Sequence, residues 1–317
     1  MTLPNAILWG LALALSACGV DAGGNGSEAP RDVRRDAEPP APDAAAAPDA
    51  EAPAVDAAPP THTQLSAINA LSFTRALSPG VAPGFNLDDR ISDQHDSETC
   101  NKPDFTSPEG EPGIDNQLAT LVPLFETVGI GAVEQLVQNS IKEGGLLIML
   151  EIAGLTDAQD TAPVTVRLRL GQGTPLLGTD GLLLSGQTFH VHPDSEDVVV
   201  DGARVSEGVL DGGPFEARLP IVVFGQQYVL PLHNTRLRAR LTYDGGLADG
   251  VLGGEVALED IITLATQANM NDQHILPAVQ AILGGKGDLD RGDDGKCKRI
   301  SGTFAFTAVS AFFFQDE

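Results

Sequence analysis

The sequence predicts a mainly β fold with helical insertions, an α+β arrangement in which an antiparallel sheet or sandwich is preceded by a helix pair. Three observations carry that prediction. Apolar and charged residues alternate at Val164, Val166, Leu168 and Leu170 against Thr165, Arg167 and Arg169, and again at Leu237, Ala239, Leu241 and Tyr243 against Arg236, Arg238 and Arg240. Strand-like runs of this kind recur from Leu146 to the C-terminal region, with turn residues between most of them. Only short stretches carry helical spacing, so helices are insertions and not crossovers of a parallel sheet, whose strands would read as continuous apolar runs.

Taken in order, Asp115 after Gly113 is placed to cap a helix through about Thr127, kinked near Pro123. A second helix is predicted over Ala132 to Lys142, because Val133, Leu136, Val137, Ser140 and Ile141 fall on one face and Gly144-Gly145 supply a stop. Strands then follow at Leu146–Ala153, Val164–Leu170, Gln187–His192, Val198–Val205, Phe215–Phe224, Gln227–Leu232, Thr235–Tyr243 and Val251–Leu258. Helices near 259–283 come next, the second running from His274 to Leu283, and Ile300–Phe313 is the closing strand. The half-solvated alternation suits antiparallel pairing with one wet face.

The N-terminal part does not belong to that fold. Ile7 to Ala17 is apolar but shorter than the roughly 20 residues a membrane-spanning helix needs, which suits a signal-peptide core. The run Leu15-Ser16-Ala17-Cys18 closing it resembles the lipobox of bacterial lipoproteins, although no Lys or Arg precedes it. That resemblance implies removal of residues 1–17 and acylation of Cys18, palmitate-type, as the new first residue. An ordinary cleaved signal whose last region happens to contain Cys is the alternative. Residues 18–60 consist almost wholly of Ala, Pro, Asp, Glu and Gly, a composition that cannot offset about 1–2 kcal/mol per residue of backbone ordering. They read as a disordered tether, and residues 61–317 as a single globular β-rich domain.

Charge excludes some partners. With 19 Lys and Arg against 44 Asp and Glu, the net charge is −25, which opposes nucleic acid and any polybasic membrane patch and suits divalent cations. Of the three cysteines one is taken by the lipid, so Cys100 and Cys297 are predicted to form a disulfide in an oxidising compartment. Each sits in a carboxylate cluster. Asp88, Asp89, Asp93, Asp96, Glu98 and Asp104 surround Cys100, and Asp288, Asp290, Asp293 and Asp294 precede Cys297. Joining the clusters is repulsive without a counter-ion, and a hard cation with oxygen ligands, calcium, is the expected remedy. Asp88, Asp89, Asp93, Asp288, Asp290, Asp293 and Asp294 are the candidate ligands, and a solvated Asp/Gly turn is the competing reading. The late loop departs from the EF-hand pattern.

For catalysis the candidate is His190-Val191-His192, since an HxH on a strand directs both imidazoles to one face at metal-ligand spacing. A third ligand would come from elsewhere, His233 or a carboxylate. The common signatures of serine hydrolases, zinc proteases and nucleotide-binding proteins are absent from the sequence. Carbohydrate binding is disfavoured because the only tryptophan, Trp9, lies in the signal segment. A transmembrane barrel is disfavoured because aromatic girdles and even repeats are missing. The clustered arginines either form an anion-binding floor or pair with the abundant acids.

The lipobox, the tether, the block from Cys100 to Gly110, the Gly113–Gln117 turn and the Asp loop ending at Cys297 together resemble uncharacterised Asp-rich lipoproteins of predatory or social soil bacteria of the myxobacterial kind. The resemblance implies a compartment, and it brings no activity with it. Gly19 after Cys18, by similarity to Gram-negative sorting signals, implies the outer membrane, on its periplasmic or cell-surface face. The expected protein is therefore a membrane-anchored, disulfide-closed, calcium-stabilised domain acting in binding or envelope structure. The alternative is a metal-dependent hydrolase using His190 and His192.

Overall fold

Eight strands close on themselves in a ring, each antiparallel to both neighbours. The computed structural model describes residues 60–127, 132–223, 226–267 and 275–315. The signal segment, Cys18 and nearly all of the tether lie outside the described residues. The elements are β1 (His62–Phe73), β2 (Phe105–Thr106), β3 (Pro112–Ile114), a 3-10 turn (Gln117–Thr120), α1 (Val122–Thr127), α2 (Ala132–Glu143), β4 (Leu147–Leu155), β5 (Thr161–Gln172), β6 (Gln187–Val191), β7 (Val198–Ser206), β8 (Val209–Val223), β9 (Gln226–Leu241), β10 (Leu247–Ala257), α3 (Leu258–Gln267), α4 (Ile275–Leu283), β11 (Leu289–Arg291) and β12 (Cys297–Phe313). The ring runs β1-β4-β5-β7-β8-β9-β10-β12, and β12 returns to pair with β1. This is an up-and-down barrel, with β6 and β11 added along β12.

The expectation of a β-rich, antiparallel fold with few helices holds. The expected helix pair before the sheet does not, because β1 precedes both helices and is the strand that closes the ring. Its sequence, HTQLSAINALSF, escapes the alternation test for a physical reason. Ser66, Ala67, Ile68 and Asn69 are all buried, since this stretch is covered on both faces and its small polar residues serve as core. Closure, and not a two-sheet sandwich, follows from that pairing.

Inside the ring, paired residues form apolar rungs such as Ile152–Val166–Val200 and Phe73–Phe304–Leu252–Leu237. Every position faces its partner on the same side of the sheet, so one alternating set fills the barrel and the other looks outward. The outward set on β5 and β9 is arginine-rich, the reverse of the apolar outer band of a membrane barrel strand. Among the described residues no helix is long and apolar enough to cross a membrane.

The second helix forms as its spacing predicts and does a strand's work. Beyond Ala67 the β4 ladder leaves β1, and α2 side chains take over its backbone groups. Phe73 N–H donates to Glu134 Oε1 at 2.7 Å, and Gln138 Nε2 donates to the Asn69 carbonyl at 2.8 Å. Gly144, at φ +81, then ends the helix in the left-handed conformation, with Gly145 N–H donating to the Ser140 carbonyl at 2.8 Å. The first helix starts later than expected: Asn116, not Asp115, occupies the cap position, and a 3-10 turn precedes α1. Asp115 is instead drawn into the interior.

Candidate functional site

Between β1 and the 3-10 turn, residues 74–116 form a strap along the outside of the barrel. Phe85 packs with Leu87, Leu289 and Val251, and the Arg238 guanidinium lies 5.4 Å from its ring centroid. Asn234 Nδ2 donates to the Leu87 carbonyl, tying the strap to β9. At the far end the Cys100–Cys297 disulfide, with Cα atoms 6.0 Å apart, locks the strap to the first residue of β12. The two predicted cysteines are thus joined, 197 positions apart in sequence.

The bond brings the two carboxylate clusters into one neighbourhood, but it does not gather the predicted ligands. Asp88 Oδ1 accepts from Arg90 N–H at 2.9 Å, and Asp93 Oδ1 from His95 N–H at 2.7 Å. Asp89 turns to Arg236 at 3.4 Å, and Asp290 to Arg299 at 3.5 Å. Asp294 Oδ1 accepts from Lys296 N–H at 3.2 Å, and Asp293 is exposed. Asp288 alone of the late loop goes inside, where Ser301 donates to it through both its N–H, at 2.8 Å, and its hydroxyl. Among the described residues no three His, Cys, Asp or Glu side chains are grouped so as to hold a metal ion.

What the strap does enclose is a line of acids that couple electrostatically: Asp88, Asp104, Asp115 and Asp288. Burial pushes Asp115 up to about 8, even though Leu87 N–H donates to its Oδ2 at 2.6 Å. Burial likewise pushes Asp288 up to about 7 and Asp104 to about 6, and raises Asp88. The negative charge of Asp104 adds to burial in raising Asp115. Asp115 is 3% exposed and Asp288 4%, so these are interior acids whose charged form is disfavoured by desolvation. Sequence reading placed Asp104 only as a member of the Cys100 cluster and Asp115 as a cap. No local pattern in the sequence marks either as an interior acid.

The arginines resolve in favour of pairing. Arg167 meets Glu151 at 3.1 Å, Arg169 meets Asp197 at 3.0 Å, and Arg240 meets Asp249 at 3.4 Å. A cleft of about 240 Å³ between strap and barrel is floored by Arg236 and Arg238, but Asp89, Glu111 and Asp211 share its wall. Acids outnumber bases there, so it is no anion floor.

On β6 the His190 ring stacks on Phe314 with centroids 4.3 Å apart, and His192 Nδ1 accepts from Asp194 N–H at 3.1 Å. His233 is engaged elsewhere, its Nδ1 2.6 Å from Glu216. The three histidines therefore have separate partners.

Fold and site together define a closed antiparallel barrel with a disulfide-locked external strap over buried acids. Comparison with protein-family models, with curated proteins and with solved structures finds no match to the chain.

Proposed function

We propose that this chain is an exported lipoprotein, anchored in the outer membrane through acylated Cys18, whose barrel domain acts in binding or envelope structure without catalysis. The disulfide is the observation that carries the reading. Once Cys18 is assigned to lipid, the remaining two cysteines pair, as an oxidising compartment favours. The barrel supports a structural or binding role in that its interior rungs are apolar, while Arg167 and Arg240 are ion-paired outside and Asp115 is sequestered under the strap. The test is direct. Mass spectrometry of the purified protein is expected to find a diacylglyceryl-linked N-terminal Cys18, and Cys18→Ser is expected to shift the protein from the membrane to the soluble fraction. An unmodified N-terminus at Met1 would end the proposal.

Calcium is part of the same reading, as counter-ion to the two clusters that the disulfide draws together. Calcium is expected to raise the melting temperature above that in chelator, and the joint substitution His190→Ala with His192→Ala is expected to leave that rise unchanged. Zinc binding that disappears with the two histidines would favour metal-dependent hydrolysis instead.

A further inference from the structure

The barrel wall is not closed evenly. β7 pairs with β5 between Val198 and Val205, yet its ladder with β8 is confined to Arg204, Val205 and Ser206 opposite Asp211, Leu210 and Val209. From Gly212 onward β8 has, among the described residues, only β9 as a ladder partner, and its register shifts twice, between Gly212 and Phe215 and between Phe215 and Ala217. The two strands diverge, and a cavity of about 150 Å³ opens where they part. Ile148, Leu168 and Leu170 on the inner faces of β4 and β5 line it, with Val198 of β7 and Ala217 and Leu219 of β8. Arg218 and Pro220, from the opposite face of β8, line it as well. The cavity therefore passes across the edge of β8, from side chains that face the barrel core to side chains at the surface.

Three kinds of occupant compete for such a slot. An extended peptide would need backbone donors and acceptors along both free edges. β8 carries Pro214 and Pro220, which have no N–H, and β7 is interrupted at Gly202, whose φ is +72. Prolines and bulges are how strand edges are protected against strand addition. A charged ligand would need an excess of one sign at the mouth. Arg169 and Arg218 are matched there by Asp194 and Glu196, and Arg218 already meets Glu196 at 3.4 Å in an exposed pair. What remains is aliphatic volume. At about 150 Å³, with its inner part lined by aliphatic side chains, the cavity has room for an apolar group of about benzene size. Val229, 47% exposed, extends the apolar surface outward at the lip.

We propose that the slot between β7 and β8 is a binding site for the end of the alkyl chain of a single-chain amphiphile, with the last few carbons among Ile148, Leu168, Ala217 and Leu219 and the rest of the chain and the head left at the rim. The head is not selected by charge, because the rim is balanced.

The test uses the full-length chain and the uncharged fluorescent probe N-phenyl-1-naphthylamine. Wild type and Cys18→Ser are titrated side by side, so that an acyl group carried by the chain itself cannot mask the site. Saturable one-to-one binding is expected, with displacement by decanoate, decyltrimethylammonium and decanol at similar concentrations. Ala217→Phe, which fills the slot, is expected to weaken probe binding by about tenfold or more. If that variant lacks a cooperative melt, Val229→Asp at the exposed lip serves in its place, with a loss in the same direction. Absence of saturable binding in both chains, or affinity unmoved by the folded variants, overturns the site. Displacement by one charged amphiphile only overturns the balanced mouth.

Discussion

Carrying Cys100→Ser together with Cys297→Ser, or reduced and alkylated, the protein is expected to melt roughly 10 °C or more below the oxidised form. The reason lies in the unfolded chain. The bond closes a loop of 197 residues, and tying such a loop removes unfolded-state entropy worth about 5 kcal/mol. For a domain of this size each kcal/mol moves the midpoint by roughly 2–4 °C. The native side contributes less, because the strap has other attachments: Asn234 to the Leu87 carbonyl, Asp115 to Leu87 N–H at 2.6 Å, and the Phe85 cluster. Scanning calorimetry of the two forms reads the difference. A shift under about 2 °C would mean that those contacts, and not the sulfur bridge, hold the strap in both states.

Much of the barrel is legible in the sequence because burial there is one-sided. β5 alternates cleanly, with Val164, Val166 and Leu168 inside and the arginines out, and the predicted Val164–Leu170 falls within the observed Thr161–Gln172. Where the wall is covered on both faces the signal fails. β1 reads as polar and small because α2 lies against it, and its Ser66, at 0% exposure, has its hydroxyl bonded to the Gly245 carbonyl at 2.9 Å. Two predicted strands, Gln227–Leu232 and Thr235–Tyr243, are one strand broken only by Asn234 at φ +49, a local kink that looks like a turn when no partner strand is in view. The site divides along the same line. Cysteine counting finds the disulfide, since pairing of two thiols needs no geometry beyond proximity. The buried acids are a tertiary product: Asp115 and Asp288 are drawn inside by Leu87 N–H and Ser301, partners at distances along the chain that no local pattern encodes.

In chelator, stability is expected to fall as pH rises from about 5 to 8, and Asp115→Asn is expected to flatten that fall. The sign follows from the direction of the shifts. Asp104, Asp288 and Asp115 titrate near 6, 7 and 8 in the folded protein, all above the ordinary 3.8 of an unfolded aspartate. The folded state thus binds more protons than the unfolded one between those values. Their stabilising contribution is complete below about pH 4 and is lost as pH rises through the folded values, at roughly 1 kcal/mol per pH unit for a group ionised only in the unfolded chain. The half-buried Asp96 and the exposed Asp244 shift downward and oppose this only on the acid side. Asparagine at 115 is uncharged like the protonated acid and keeps an oxygen to accept from Leu87 N–H. It should therefore match wild type below about pH 4 and melt above it by a margin that widens as pH rises to 8. If Asp115→Asn instead melts below wild type at pH 8, the native carboxyl is ionised and stabilised by a positive charge. The interior acids would then form a cation's seat and not a store of protons.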